Sequence, residues 1–159
     1  MLQGQVKSTI DRVWDAFWSG GISNPLEVIE QITYLLFIRR LDDLQTRAEN
    51  RARLTGKPIE NPVFGSDEQN LRWSHLKNEE PGVMHALVAQ GVFPFLQRLG
   101  GDDSTYAHHM RDARFTIPTP ALLARVVDML DELPMDDRDT NGDLYEYMLG
   151  KIASSGHNG

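Results

Sequence analysis

The feature that most constrains this chain is the segment that opens at Asn24-Pro25. Asparagine is a favoured helix cap and proline suits a first helical turn, so the pair marks a helix start. Behind it Leu26, Ile29, Ile32, Thr33, Leu36, Phe37, Leu41 and Leu44 recur at helical spacing. Leu35 and Ile38 widen that stripe. The pattern predicts a long helix running to about Arg53, broad enough on its apolar side to be the centre of a core.

Shorter helices flank it. From Gln5 to Ser19, Val6, Ile10, Val13, Trp14 and Phe17 fall on one face, and Gly20-Gly21 ends the run. Thr119-Pro120 repeats the start signal ahead of Leu122, Leu123, Val126, Val127, Leu130 and Leu133. A helix is expected after Pro81, with a kink or a second helix from about Pro94 to Leu99. Ser104–Asp112 reads as a short helix, and a last one begins near Asp143 with Tyr145, Met148, Leu149 and Ile152. Thr55–Asn70, punctuated by Gly56, Pro58, Pro62 and Gly65, reads as a surface loop. Phe115-Thr116-Ile117 is a candidate extended segment. The predicted fold is all-α: an irregular bundle of about five to seven helices around one long central helix.

The 159 residues suit one compact domain. Residues 1–152 are expected to form it, with 153–159, small and polar, as the start of a linker. No apolar run is long enough to cross a bilayer, and no basic stretch followed by an apolar core marks a signal peptide. With no cysteine for a disulfide, the expected location is the cytoplasm.

The net charge of −7 opposes DNA binding by the chain alone, since phosphate neutralisation drives such affinity. The charges are polarised, however. Arg39, Arg40, Arg47, Arg51, Arg53 and Lys57 cluster against Asp42, Asp43 and Glu49, whereas Asp128–Glu146 is almost wholly acidic. Solvated helix faces would explain this, and so would two different partners.

No catalytic, cofactor-binding or metal-binding residues are expected. Asp137, Asp139, Asn141, Gly142 and Leu144 match the start of a calcium loop, but the bidentate glutamate of its twelfth position is replaced by Met148. An acidic turn leading into a helix is the simpler reading. The five histidines, His75, His85, His108, His109 and His157, form no metal-ligand pair. No phosphate-binding glycine loop or nucleophile motif is present. Trp18 lies about a hundred degrees round its helix from Phe17. It reads first as a core aromatic and otherwise as a rim contact for a partner.

Three stretches, in order, resemble the N-terminal helical domain of the methyltransferase (modification) subunit of type I restriction–modification systems. They are Val13–Trp18 followed by Tyr34–Asp43; Asp102–Tyr106 to Phe115; and Gly142–Ile152 running into Gly156-His157-Asn158-Gly159. The resemblance covers essentially the whole chain. It implies a scaffolding domain of a larger S-adenosylmethionine-dependent adenine-N6 methyltransferase. Gly159 would lie at the edge of a catalytic domain that this sequence does not contain. The implied partners are the specificity subunit, a second methyltransferase subunit and the restriction subunit, with DNA bound only in the assembled complex. Arg47, Arg51, Arg53 and Lys151 are the candidate DNA contacts, and Trp18 the candidate partner contact. A freestanding helical adaptor and a degenerate calcium-binding domain are the alternatives.

Overall fold

A computed structural model describes residues 4–99 and 112–134. Among the described residues the architecture is all-α, with no strand. In chain order they form α1 (Gly4–Ser19), α2 (Pro25–Thr55), a 3-10 turn (Gln69–Leu71), α3 (Trp73–Leu76), α4 (Pro81–Leu87), a π turn (Val88–Val92), α5 (Phe93–Leu99) and α6 (Pro120–Asp131). The expected helices at Ser104–Asp112 and after Asp143 lie, apart from Asp112, outside the described residues. So do the calcium-like loop and the tail 153–159. Two compact units organise the chain: the described parts of Met1–Thr33 with Thr116–Gly159, and those of Tyr34–Phe115.

In the first unit α1 packs on α6. Both helices carry one clean apolar stripe. Ile10, Val13 and Phe17 of α1 and Leu123, Val126 and Leu130 of α6 are fully buried. Gly21, at φ +94°, closes α1: its N–H donates to the Trp18 carbonyl at 3.2 Å, and that of Ile22 to the Phe17 carbonyl at 2.9 Å. This is the paired end-of-helix bonding that a left-handed residue allows. It turns Ile22 inward, where it is buried. The α6 start matches expectation. Thr119 is extended and its Oγ1 accepts from the Leu122 N–H at 3.2 Å, with Pro120 in the first turn. Phe115–Ile117 is neither helix nor strand. Gln31, buried on α2, accepts the Thr116 N–H through Oε1 at 3.2 Å.

Asn24 caps α2 as expected, its Oδ1 accepting the Leu26 N–H at 3.0 Å. The stripe itself needs correction. Val28, Ile29, Ile32, Leu35, Leu36, Ile38 and Leu41 are buried, but Leu26 is 59% exposed and Leu44 is exposed too. Leu26 sits in the first turn, ahead of the packed segment. Beyond Leu41 the inward positions belong to Asp42 and Gln45, both buried, so Leu44 is rotated to solvent.

In the second unit Pro94 shapes the other long helical stretch. Proline has no N–H to give to Gln90 and its ring crowds that carbonyl. The chain meets this with the π turn just before it, where the Phe93 N–H reaches the Val88 carbonyl. Pro94 then falls in the first turn of α5. Phe93 lies edge-on to Tyr34 (ring centres 5.5 Å apart) and against Phe115 (5.1 Å), and Phe95 stacks on Phe64 (5.1 Å). Phe64, inside the expected surface loop, is fully buried.

Candidate nucleic-acid and partner interface

The second half of α2 divides into two polar faces that do different work. One turns inward. Asp42 accepts from Arg72 Nε at 2.5 Å and from the Ser74 N–H at 2.9 Å. Glu49 takes both terminal nitrogens of Arg72, at 3.0 and 3.1 Å, and Thr46 Oγ1 accepts from Arg72 at 3.0 Å. One turn along, Gln45 Oε1 accepts the backbone N–H of Val63 at 2.8 Å and of Phe64 at 3.4 Å. These bonds tie the 63–76 segment to α2 and set Trp73, Leu76 and Phe64 into the core of this unit.

Electrostatics agree with that geometry. The hydrogen bond from Arg72 holds the Glu49 carboxyl below its ordinary range, against a smaller opposing effect of burial. Burial works against the charge on Arg72, but hydrogen bonds to Glu49 and Asp42 outweigh it and hold the guanidinium above its ordinary value.

The other face points to solvent. Arg40, Asp43, Leu44, Arg47, Asn50, Arg51 and Leu54 are all exposed and recur at spacings of three and four, which makes one stripe. Arg47 and Arg51 are therefore neighbours, about 6 Å apart along the axis at the α-helical rise. Arg40, seven residues before Arg47, belongs to the basic cluster read from the sequence but not to its candidate DNA contacts, and it shares the face of Arg47 and Arg51. Two turns separate it from Arg47, which is why a run of nearby arginines hides it. Arg53, also exposed, sits round the helix from Arg51, and its guanidinium reaches back to donate to Asn50 Oδ1.

The consequence is a sorting of charge. Of the acids that share this stretch of sequence with the arginines, Asp42 and Glu49 are turned to Arg72. Only Asp43 remains among Arg40, Arg47 and Arg51 on the outer stripe. A segment whose basic excess is partly offset by acids in sequence thus presents a more strongly basic face.

Trp18 is 44% exposed, one residue beyond the buried Phe17. The first sequence reading, a core aromatic, is corrected: α1 buries Trp14 and Phe17, and Trp18 projects at the rim beside the Gly20-Gly21 turn. Lys151 and Gly159 lie outside the described residues. His75 pairs with Glu79 at 3.1 Å on the surface, and His85 lies against the Phe115 ring at 5.0 Å. Among the described residues no group of three or more metal-ligating side chains is placed to hold an ion. No described helix is long and apolar enough to cross a membrane.

Comparison with known families decides the chain's affiliation. The model of the HsdM N-terminal domain matches residues 6–130. The chain belongs to that family. It is the N-terminal domain of the methyltransferase subunit of type I restriction–modification systems, as the ordered sequence stretches implied. No curated protein and no solved structure matches the chain. The family match begins in the first turn of α1, takes in all of α2 and the 63–76 clamp and ends within α6, so the arginine stripe lies inside the HsdM domain proper.

Proposed function

We propose that this HsdM domain is the assembly and DNA-clamp part of a type I restriction–modification adenine-N6 methyltransferase subunit, supporting DNA binding and subunit association rather than catalysis. Its partners are the specificity subunit, a second methyltransferase subunit and the restriction subunit, in the cytoplasm. S-adenosylmethionine serves the full-length enzyme, outside residues 1–159.

The observation that carries the DNA half is the outer stripe of α2. Arg47 and Arg51, with Arg40 on the same face and Arg53 beside them, are exposed, while Asp42 and Glu49 are turned away. Arginines spaced one turn apart match successive backbone phosphates without reading bases, which positions a protein on a duplex. Lys151 is a further candidate contact. The chain's net charge of −7 keeps isolated binding weak, so the arginines act where basic partner surfaces offset the long-range repulsion. The test is charge reversal, Arg47→Glu/Arg51→Glu, in the assembled methyltransferase. DNA affinity falls at least tenfold while S-adenosylmethionine affinity holds. Unchanged DNA affinity contradicts the reading.

A second reading is favoured by one observation. Leu54, 88% exposed, and Leu44 lie on the same stripe as the arginines. Leucines and arginine stems on one helical face also suit a partner subunit's helix. Leu44→Ser/Leu54→Ser separates the two: it weakens subunit assembly if the stripe meets protein, and leaves assembly unchanged if the stripe meets phosphate. Trp18 is the candidate partner contact in the other unit.

A further inference from the structure

The second unit contains a groove that neither the DNA reading nor the stripe uses. It has a volume of about 610 Å³ and lies between the turn that leads into Leu71 and the outer face of α4 and the π turn. Leu71, Val83, Ala86 and Leu87 give it apolar surface, and Asn70 and Gln90 contribute amides.

Two features shape the groove. Gly91, in the π turn, lets the Leu71 side chain close in: a Cβ there would lie 2.5 Å from Leu71 Cδ2. Glu68 fixes the turn, accepting the Gly65 N–H at 2.8 Å, and faces Arg98 of α5 at 3.4 Å. The π turn that Pro94 imposes is thus the wall on which the groove is built. Such turns recur where helices carry function.

Its chemistry indicates the occupant. Val83, Ala86 and Gln90 on one wall are exposed, so the site is a surface groove and not an enclosed chamber that would bury a small molecule. Amide side chains beside apolar surface can pair with the backbone of an extended chain while its side chains settle between them. With Glu68 matched to Arg98, the exposed Asp67 carboxylate leaves the lining one negative charge in excess. We propose that this groove seats an extended segment of a partner protein that places aliphatic side chains beside lysine or arginine.

The test is a titration of the isotope-labelled chain, residues 1–159, with a capped peptide of alternating leucine and lysine, followed by two-dimensional amide spectra. A peptide with glutamate in place of lysine and a short DNA duplex serve as competitors. The expected result is saturable shifts at Asn70, Val83, Ala86 and Gln90, with at least tenfold weaker binding of the glutamate peptide. Ala86→Arg, at an exposed helical position that leaves melting unchanged, weakens the lysine peptide at least tenfold, and Asp67→Asn weakens it about threefold. Absence of saturable shifts at these amides, equal binding of both peptides, indifference to Ala86→Arg, or displacement by the duplex overturns the proposal. None of these outcomes depends on the DNA contact assigned to the arginine stripe.

Discussion

The α1–α6 pair and the clamp of 63–76 on α2 are held by different physics. The first is an apolar seam between two regular amphipathic helices. Its boundaries follow from capping residues and its buried side chains from helical spacing alone. The second binds an irregular segment to a helix through Asp42, Gln45, Glu49 and Arg72, and those polar groups hold the backbone from which Phe64 and Trp73 enter the core. An apolar seam leaves the remaining charges of its helices to solvent in whatever balance the sequence has. A polar clamp consumes charges of chosen sign. By engaging Asp42 and Glu49 it leaves α2 with a basic outer stripe, which is how a chain of net charge −7 can present one face suited to phosphate.

Variants that break the two regions separately sharpen the contrast. The largest effect is expected in the apolar seam. Phe17→Ala removes a fully buried ring and should lower unfolding free energy by about 3–5 kcal/mol in denaturant melts. A loss under about 1 kcal/mol would show that the seam is not tightly packed.

Next comes the clamp. Arg72→Met keeps the stem but leaves the buried Asp42 with the Ser74 N–H in place of its ion pair. The expected loss is about 1.5–3 kcal/mol, the range for hydrogen bonds to charged groups. It should come with greater exposure of Trp73, read as a red-shifted fluorescence component. The clamp should also fade in acid. Glu49 has its pKa lowered in the folded state, so its contribution is present above the ordinary glutamate range and is lost as pH falls through the lower folded value. Glu49→Gln should flatten that acid limb, whereas a variant of the apolar seam should leave it alone. Glu49 is substantially exposed, which keeps the change small.

Smaller effects probe single polar groups. Thr119→Ala removes the α6 cap and should cost about 1 kcal/mol. Thr33 Oγ1 is buried without a hydrogen-bond partner among the described residues. Thr33→Val should therefore be neutral or stabilising, by up to about 1 kcal/mol. A clear loss of stability would reveal a partner for that hydroxyl.

The same contrast explains what could be read in the sequence. Asn24-Pro25 and Thr119-Pro120 announced two helix starts because caps act locally. Gly20-Gly21 announced an end for the same reason. Leu44 and Trp18 were harder: each is apolar at a helical spacing near the stripe, and only the tertiary choice of Asp42 and Gln45, or of Trp14 and Phe17, turns them outward. Arg47 and Arg51 were legible as neighbours on one face. Arg40 was not, since its kinship with them appears only once the inward face is known. The role of Arg72 was invisible. It stands in a stretch too short to assign, and its partners lie 23 to 30 residues away. The groove beside the π turn was equally hidden, because Pro94 predicts a disturbance in a helix but not its form.

The arginine stripe is the central claim, and the salt dependence of DNA binding tests it most directly. The assembled methyltransferase should be compared as wild type, as Arg47→Ala/Arg51→Ala, and as Arg12→Ala/Arg125→Ala. The last pair removes the same charge from exposed positions in the α1–α6 unit, where Arg12 already faces Glu132 at 3.1 Å. Each phosphate contact contributes about 0.9 to the slope of log affinity against log salt. The stripe variant should therefore bind all sequences more weakly, with a slope shallower by about 1.8 if both arginines contact phosphates, while the α1–α6 variant keeps the wild-type slope. A stripe variant with unchanged affinity and slope, or an α1–α6 variant that loses as much, contradicts the account.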